Sequence, residues 1–504
     1  MALKLNTQNL APILNAAKAA GVTVNIPNYP RGKAVKEGIV HIGVGGFHRA
    51  HLAFYIDRLM RHHNVTDYAI CGVGLTPYDN VMRDALNSQD GLYTAIERSP
   101  TGSIAHVLGG INSFLWAEDD REAVIAKMAH PDTSIVSLTI TESGYYYNEN
   151  THQLQAENPD IQADLAGDKD PKTTFGFLYH AMARRHQAGL NPFTVMSCDN
   201  MQGNGSITRN MLVSFARLRN PPLADWINTK GQFPNAMVDR ITPSTSEEDK
   251  AGLAKEFGIE DSWPIVTEPF TQWVVEDHFV NNERPPFEKV GVQIVKDVKN
   301  VEEFEKHKLR LLNGSHAIIA YGGWLAGYKY VHEVIANPLF REFVWNMMQE
   351  EVKPTLPDIP GHDVDQYCKT LIERFSNPPI RDTLPRICGG GTGKIPQFIM
   401  PTIAEEIWVT GPFRRLCFTA ATWFHYIKGV DDLGNKFEVQ DPMLEEIQEK
   451  AIKGGTNPME LLSIKSLFGD DLRNDERFVA TMTEALEDIA RDGVLKSLPK
   501  WIKG

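Results

Sequence analysis

The stretch GIVHIGVGGFHRAHLAFYIDRLMRHH (38–63) limits the possible folds more than any other part of the chain. A short β-rich run ends in glycines and passes directly into a pattern with Leu52, Tyr55, Ile56 and Leu59 at helical spacing. A strand, a glycine turn and a helix in that order open a βαβ unit. Further strand-like runs follow at YAICGVGL (68–75), TSIVSLTI (133–140) and FTVMSCDN (193–200), the last preceded by a helical pattern through 177–187. Strands that alternate with helices imply a parallel sheet covered on both faces. LYTAIER and IAHVLGGINSFLW, between them, read as extra strands that elaborate the sheet. After about residue 298 long helical patterns take over, at 302–328, 339–352, 364–375, 401–427, 442–453 and 476–492. Pro- and Gly-rich punctuation, PTLPDIPGHD (354–363) and CGGGTGK (388–394), separates them. The expectation is an α/β chain of two domains: a doubly wound dinucleotide-binding domain over 1–297 and a mostly α-helical domain over 298–504. The length, 504 residues, exceeds what one hydrophobic core fills.

Charge and cysteine usage exclude some classes of function. A formal net charge of −13 argues against a broad nucleic-acid surface but leaves room for a small basic pocket. Cys71, Cys198, Cys368, Cys388 and Cys417 are odd in number and contain no C-x-x-C pair, so neither a disulfide framework nor a structural zinc is indicated. A reducing compartment fits best. MALKLNTQNLAPILNAAKAAG lacks an uninterrupted apolar segment, the first Arg is Arg31, and no run of 18 apolar residues occurs. No targeting peptide and no membrane contact are expected, and the location is expected to be cytoplasmic.

The glycine turn suggests chemistry. Gly43 and Gly45 sit at the end of the first strand, where a tight turn lets backbone approach a pyrophosphate at a helix N-terminus. The third fingerprint glycine would fall at position 48, which is His48, although Gly46 is additional. The alternative is a Gly-rich turn with no ligand. A dinucleotide site also wants an acid after the second strand to accept from the ribose hydroxyls. Asp79, in YAICGVGLTPYDN, is the candidate, and its carboxylate would repel a 2′-phosphate, favouring NAD over NADP. Arg83 is the nearest cation. Asp79 could equally be a helix N-cap. His48 and His51, three apart, resemble metal ligands, but no third ligand is evident and no metal is expected.

A second signal is KLRLLNGSHAII (308–319). Its apolar residues suggest a buried helix, yet Asn313 and Gly314 interrupt it and Lys308 and His316 flank them. At about 100° per residue, Glu305, Lys308, Asn313 and His316 share one face of an α-helix. A buried polar seam is one explanation. Chemistry supplies another. Oxidising an alcohol without a metal needs a base of near-neutral pKa, and a desolvated lysine qualifies. Glu305 could pass its proton to solvent, and two amides, Asn313 and Asn200 after the strand FTVMS, could hold the oxygen as it gains charge.

With these residues in view, the chain closely resembles the polyol-specific long-chain dehydrogenases. The matching stretches are GVGGFHRAH (43–51), SLTITESGYY (137–146), SCDNMQGNG (197–205), FPNAMVDRITP (233–243), KLRLLNGSH (308–316) and RFSNP (374–378). His48, a departure from the general fingerprint, is what this family has. The resemblance implies a Rossmann-type N-terminal domain, NAD as cofactor, metal-independent catalysis and a monomer. It implies a reaction between D-mannitol and D-fructose, with D-arabinitol 4-dehydrogenase and fructuronate reductase as the nearest alternatives. An NAD-binding sensor without turnover is a remote one. Lys308 would be general base in oxidation and acid in reduction, Asn200 and Asn313 the oxyanion amides, His316 an orienting group and Glu305 the proton path. Asp239, Arg386 and Lys394 would read the polyol hydroxyls. The cofactor stretch would be the strand Ile39, Val40, His41 and Ile42, the turn Gly43, Val44, Gly45 and Gly46, and then Phe47, His48, Arg49 and Ala50. Asp79 would take the ribose, and Glu142 would lie near the nicotinamide. Some relatives carry two acids after the second strand, whereas here Tyr78 precedes Asp79.

Overall fold

In the computed structural model, which describes residues 2–148, 151–167 and 170–503, the strand-like runs become short parallel strands with helices packed on both faces. They are β1 (Ile39–Ile42), β2 (Ile70–Gly74), β3 (Ile111–Trp116), β4 (Ile135–Leu138) and β5 (Thr194–Ser197). Their order in the sheet is β5-β4-β1-β2-β3, parallel throughout. The chain winds outward from β1 through β2 and β3, then restarts on the other side with β4. That reversal leaves a crevice beyond the carboxyl ends of β1 and β4. The expectation that LYTAIER and IAHVLGGINSFLW both elaborate this sheet holds only for the end of the second run. Its first half pairs antiparallel with Tyr93–Ser99 in a separate four-stranded sheet, while Ile111–Trp116 is the edge of the main one.

Side-chain alternation explains why these runs are apolar almost throughout. Ile39, Ile70, Ile135 and Met196 face one core with α2 (Leu52–His63), which follows the short helix α1 (Gly46–Ala50). Val40, Ile42, Val73, Val136 and Leu138 face the other, under α3 (Arg121–Ala129), α4 (Thr174–Gln187) and α5 (Asn204–Arg219). Each fully buried aliphatic side chain contributes about 1.5–3 kcal/mol. Caps define the helix starts: Asp120 accepts from Ala123 N–H at 2.9 Å, and Thr173 from Gly176 N–H at 3.0 Å. A three-stranded sheet of β6 (Ala236–Asp239), β7 (Gln272–Glu276) and β8 (Gln293–Val295) follows, with β6 antiparallel and β8 parallel to β7.

Residues divide into two compact units, Met1–Glu302 and Glu303–Gly504. The second is helical. A helix over residues 298–325, α6, begins in the last residues of the first unit. Then come α7 (Pro338–Asn346), α8 (Val364–Phe375), α9 (Leu384–Cys388), α10 (Gly391–Phe398), α11 (Met400–Trp408), α12 (Arg414–Tyr426), α13 (Glu476–Asp492) and α14 (Val494–Trp501). Two expectations are corrected. The single helix read over 401–427 is broken between Trp408 and Arg414, because Thr410 takes φ +56° and Pro412 lacks the N–H that a helix needs. CGGGTGK is less a break than a junction: α9 ends and α10 begins around Gly390 at φ +68°. The last helix is locked into the core. Trp501 is fully buried, and the Arg415 guanidinium joins the Ile502 carbonyl at 2.8 Å to the buried Glu351 carboxylate at 3.2 Å. All five cysteines are free and buried. Among the described residues no helix is long and apolar enough to cross a membrane.

Candidate active site

The turn after β1 is built so that only glycine fits its first position. Gly43 has φ +90°, and a Cβ there would lie 2.0 Å from the Thr139 carbonyl oxygen. Gly43 N–H donates to Val73 O at 3.0 Å, and its own carbonyl accepts from the Thr139 hydroxyl at 2.6 Å. Beneath it, His41 bridges Ser137 Oγ at 2.8 Å and Thr139 Oγ1 at 2.9 Å and stacks on His48, with ring centroids 3.3 Å apart. Burial pushes the His41 imidazole down to about 3, and the buried His48 is lowered too, first by burial and then by His41. His48 therefore fills the third glycine's position as a neutral stacking ring. His51 takes a different course, with Nε2 3.0 Å from the Gln272 carbonyl and its ring near Trp273. No side chain caps α1, and its last residue, Ala50, accepts from buried Arg240 at 2.6 Å. Arg49 is buried as well. Its Nε reaches Gly45 O at 3.3 Å, and it donates to the Trp263 carbonyl.

A cleft of about 570 Å³ opens at the carboxyl ends of β1, β2 and β4, lined by Gly43, Gly45, Thr76, Asp79, Thr139 and Thr141 among others. Its size falls within the usual range for small-molecule sites. Asp79 does two jobs there. Its Oδ2 closes a capping box by accepting from Thr76 N–H and Oγ–H, both at 2.8 Å, and its side chain lines the cleft. Arg83 is committed elsewhere, to Asp84 at 2.8 Å and Asp119 at 2.7 Å, over the Trp116 ring. Glu142 is exposed and flanked by the cleft residues Thr141 and Ser143, but it is not itself a wall.

Asn200 is exposed, three residues beyond the end of β5, and Asp239 is the buried last residue of β6. Between β5 and Asn200 lies a residue that the sequence reading passed over. Asp199 is buried and accepts from Thr141 N–H at 2.9 Å, Ile140 N–H at 3.0 Å and Tyr145 O–H at 2.7 Å. The available signal was an acid at the carboxyl end of an apolar strand.

In the second unit, α6 explains the odd composition of KLRLLNGSHAII. Lys308–Asn313 and Ile318–Gly322 are π-helical, separated by one α turn, Gly314–Ala317. Gly314 N–H accordingly donates to the carbonyl five residues back, that of Leu309. This corrects the α-helical wheel. In a π turn the hydrogen bond spans five residues and the helix is wound more loosely, so Asn313 falls nearer the face of Lys308 than about 100° per residue gives. Lys308 and Glu305 are buried, at 8% and 5% exposure. His316 is half-buried, with its ring 4.8 Å from that of Phe375, and Asn313 Oδ1 has no hydrogen-bond partner among the described residues. The other cation of the run, Arg310, is structural: it forks onto Glu405 at 2.6 and 2.8 Å.

Arg386 and Lys394 prove to be held in place. Arg386 makes two bonds of 2.7 Å to Asp382, whose pull outweighs burial and raises the guanidinium's pKa. Lys394 donates to the Ile387 and Gly389 carbonyls at 2.7 and 2.5 Å.

A doubly wound parallel sheet with a glycine turn and a cleft at its switch point defines a Rossmann-type protein, here extended by a helical unit. Models of the mannitol dehydrogenase Rossmann domain and the mannitol dehydrogenase C-terminal domain match residues 37–289 and 300–490. The chain belongs to the mannitol dehydrogenase family. It is 73% identical to a mannitol 2-dehydrogenase of Neosartorya fischeri over 99% of both chains, and 68% identical to one of Pyricularia oryzae over 100% of this chain and 99% of the relative. Among solved structures, a Pseudomonas fluorescens mannitol 2-dehydrogenase in ternary complex with NAD and D-mannitol is 43% identical. It superposes with a TM-score of 0.89 over 99% of this chain and 100% of its own. A D-sorbitol dehydrogenase in substrate-free form is 35% identical, with a TM-score of 0.85 over 96% and 99%.

Proposed function

We propose that this chain interconverts D-mannitol and D-fructose by hydride transfer between C2 and NAD, with Lys308 as general base in oxidation and general acid in reduction. The observation that carries the reading is the 73% identity over 99% of the chain to a mannitol 2-dehydrogenase. The first unit fits NAD. Its cleft of about 570 Å³ has a turn at Gly43 with no room for a side chain, and α1 beside it has no side-chain cap. Residues 39–50 would hold the pyrophosphate side and Asp79 the ribose, with Glu142 toward the nicotinamide. When bound, NAD supplies the hydride acceptor. With Arg83 bound to two carboxylates, no cation is offered to a 2′-phosphate from that position, which favours NAD over NADP.

Lys308 takes the proton from the C2 hydroxyl, and Glu305, one turn earlier on α6, carries it toward solvent. The amides of Asn313 and Asn200 donate to the oxygen as it becomes negative, and His316 orients it. Asp239, Arg386 and Lys394 recognise the remaining hydroxyls. Two of these are already clamped, Arg386 by Asp382 and Lys394 by two carbonyls, so they would present fixed donors and lose little entropy on binding. No step needs a metal. A cytoplasmic location fits the five unpaired thiols, and the chain would act there as a monomer.

The test is NADH oxidation by the EDTA-treated protein, with D-fructose and D-fructuronate offered in parallel. Fast turnover of fructose without added metal is expected. Preference for fructuronate would move the substrate while keeping the lysine chemistry, and silence with both despite NADH binding would point to a sensor.

A further inference from the structure

The SCDN run contains a carboxylate to which the reaction above gives no part. Both oxygens of Asp199 are used on the segment that follows β4. Oδ1 accepts from Thr141 N–H at 2.9 Å, and Oδ2 accepts from Ile140 N–H at 3.0 Å and Tyr145 O–H at 2.7 Å. The Tyr145 oxygen is in turn 2.6 Å from Ser197 Oγ, so the carboxylate sits in a buried and fully engaged network. The segment it grips is strained. Thr141, which lines the cofactor cleft, stands at φ +60° and ψ 167°, a region that residues other than glycine rarely occupy. Such a conformation persists only where its surroundings over-determine it.

The backbone of Asp199 is fixed from the opposite side. Its carbonyl accepts from Asn204 Nδ2 at 3.0 Å. The same amide donates to Ala236 O at 2.7 Å and accepts from Ala236 N–H at 2.9 Å. Ala236 opens β6, the strand that ends at Asp239. Asn200 is therefore the neighbour of a residue tied through its side chain to the cleft wall and through its carbonyl to β6.

We propose that Asp199 is a positioning residue that holds the strained Thr141 wall of the cofactor cleft and sets Asn200, so that cofactor binding and oxyanion stabilisation depend on one buried carboxylate. The inference rests on the NAD and Asn200 assignments made above.

Asp199→Asn keeps the shape but turns one accepting oxygen into an NH2 that must oppose a backbone N–H. The measurements are NADH affinity by fluorescence titration, kcat with mannitol at saturating NAD, and Tm. The expected result is a loss of about tenfold or more in NADH affinity and a similar fall in kcat, the scale of a broken hydrogen bond to a charged group. Tyr145→Phe removes one of the three donors and should give a smaller loss in both. A purely structural role would lower Tm and leave the affinity and kcat of the folded protein unchanged, and that outcome would overturn the proposal. If Asp199→Asn does not fold, Tyr145→Phe decides: wild-type affinity and kcat in that variant overturn it too. Failure of the wild-type protein to bind NADH would instead sink the reading on which the proposal rests.

Discussion

Two glycines in two matching motifs look alike in the sequence and do different physical work. Gly43 ends β1 at φ +90°, with the Thr139 carbonyl oxygen 2.0 Å from where a Cβ would be. Gly314 lies in the middle of α6 at φ −60° and ψ −43°, and a Cβ there would meet nothing closer than Ile399 Cδ1 at 3.6 Å. The first is demanded by backbone geometry and close packing. The second is demanded by neither, and in a helix it costs about 1 kcal/mol relative to alanine. What is unusual around Gly314 is the hydrogen-bond pattern, which belongs to the backbone on both sides of it. A glycine in a motif therefore reports strain in one unit, while in the other it accompanies the π turn that runs from Lys308 to Asn313.

The contrast can be broken from either side. The largest effect is expected for Lys308→Ala on α6, which should lose about 10²–10⁴-fold in kcat, the usual reach of general acid–base catalysis. NADH affinity should stay near wild type in a fluorescence titration, and added primary amines should restore part of the rate. Full activity in that variant would remove Lys308 from the mechanism. Gly43→Ala should act in the opposite sense, lowering stability by about 1–3 kcal/mol from backbone strain alone and weakening NADH binding. Denaturant melts and the same titration measure both, and an unchanged NADH Kd would detach the glycine turn from the cofactor.

The histidines under the turn give a pH dependence. Burial holds the folded His41 imidazole at about 3, against an ordinary value of 6.5. Below pH 6.5 the unfolded chain takes up a proton that the folded chain refuses. Stability that is whole above that pH is therefore lost as pH falls toward 3, at about 1.4 kcal/mol per pH unit. His48, lowered for the same reason, adds to the slope. His41→Gln should flatten the fall in stability between pH 7 and pH 5 in urea melts, and an equal slope in both proteins would contradict the buried neutral imidazole. The smallest effect belongs to Gly314→Ala, with turnover near wild type and a gain of about 1 kcal/mol from helix propensity. A large loss of kcat there would show that the glycine itself, and not the π turn, is what the site requires.

The sequence made the parallel sheet legible because strands buried on both faces are apolar at nearly every position, and because a glycine turn separates β1 from α1. It also located Asp79, whose place is set by a four-residue turn. The π geometry of α6 was not legible, since moving a hydrogen bond from i−4 to i−5 leaves no mark on composition. Nor was the separation of Tyr93–Ser99 and Gly102–Leu108 into a sheet of their own, because their alternation resembles that of Ile111–Trp116, which does join the main sheet beside β2. Asp199 escaped because its partners are distant: Ile140, Thr141 and Tyr145 lie 59, 58 and 54 residues away along the chain. Arg386 and Lys394 could be named as cations, but their clamps, Asp382 and two backbone carbonyls, became visible only in the folded chain.

Burial leaves all five thiols of the folded molecule unreactive. Burial drives the Cys71, Cys368 and Cys388 thiols to about 12 and raises Cys198 and Cys417 as well, so thiolate, the form that reacts, is scarce at every site. An alkylating reagent can therefore reach these sulfurs only when the chain opens around them. Cys71 and Cys198 belong to the first unit, and Cys368, Cys388 and Cys417 to the second. The rate at which each acquires label is thus a clock built into the native protein, which reads out separately how often each half comes apart.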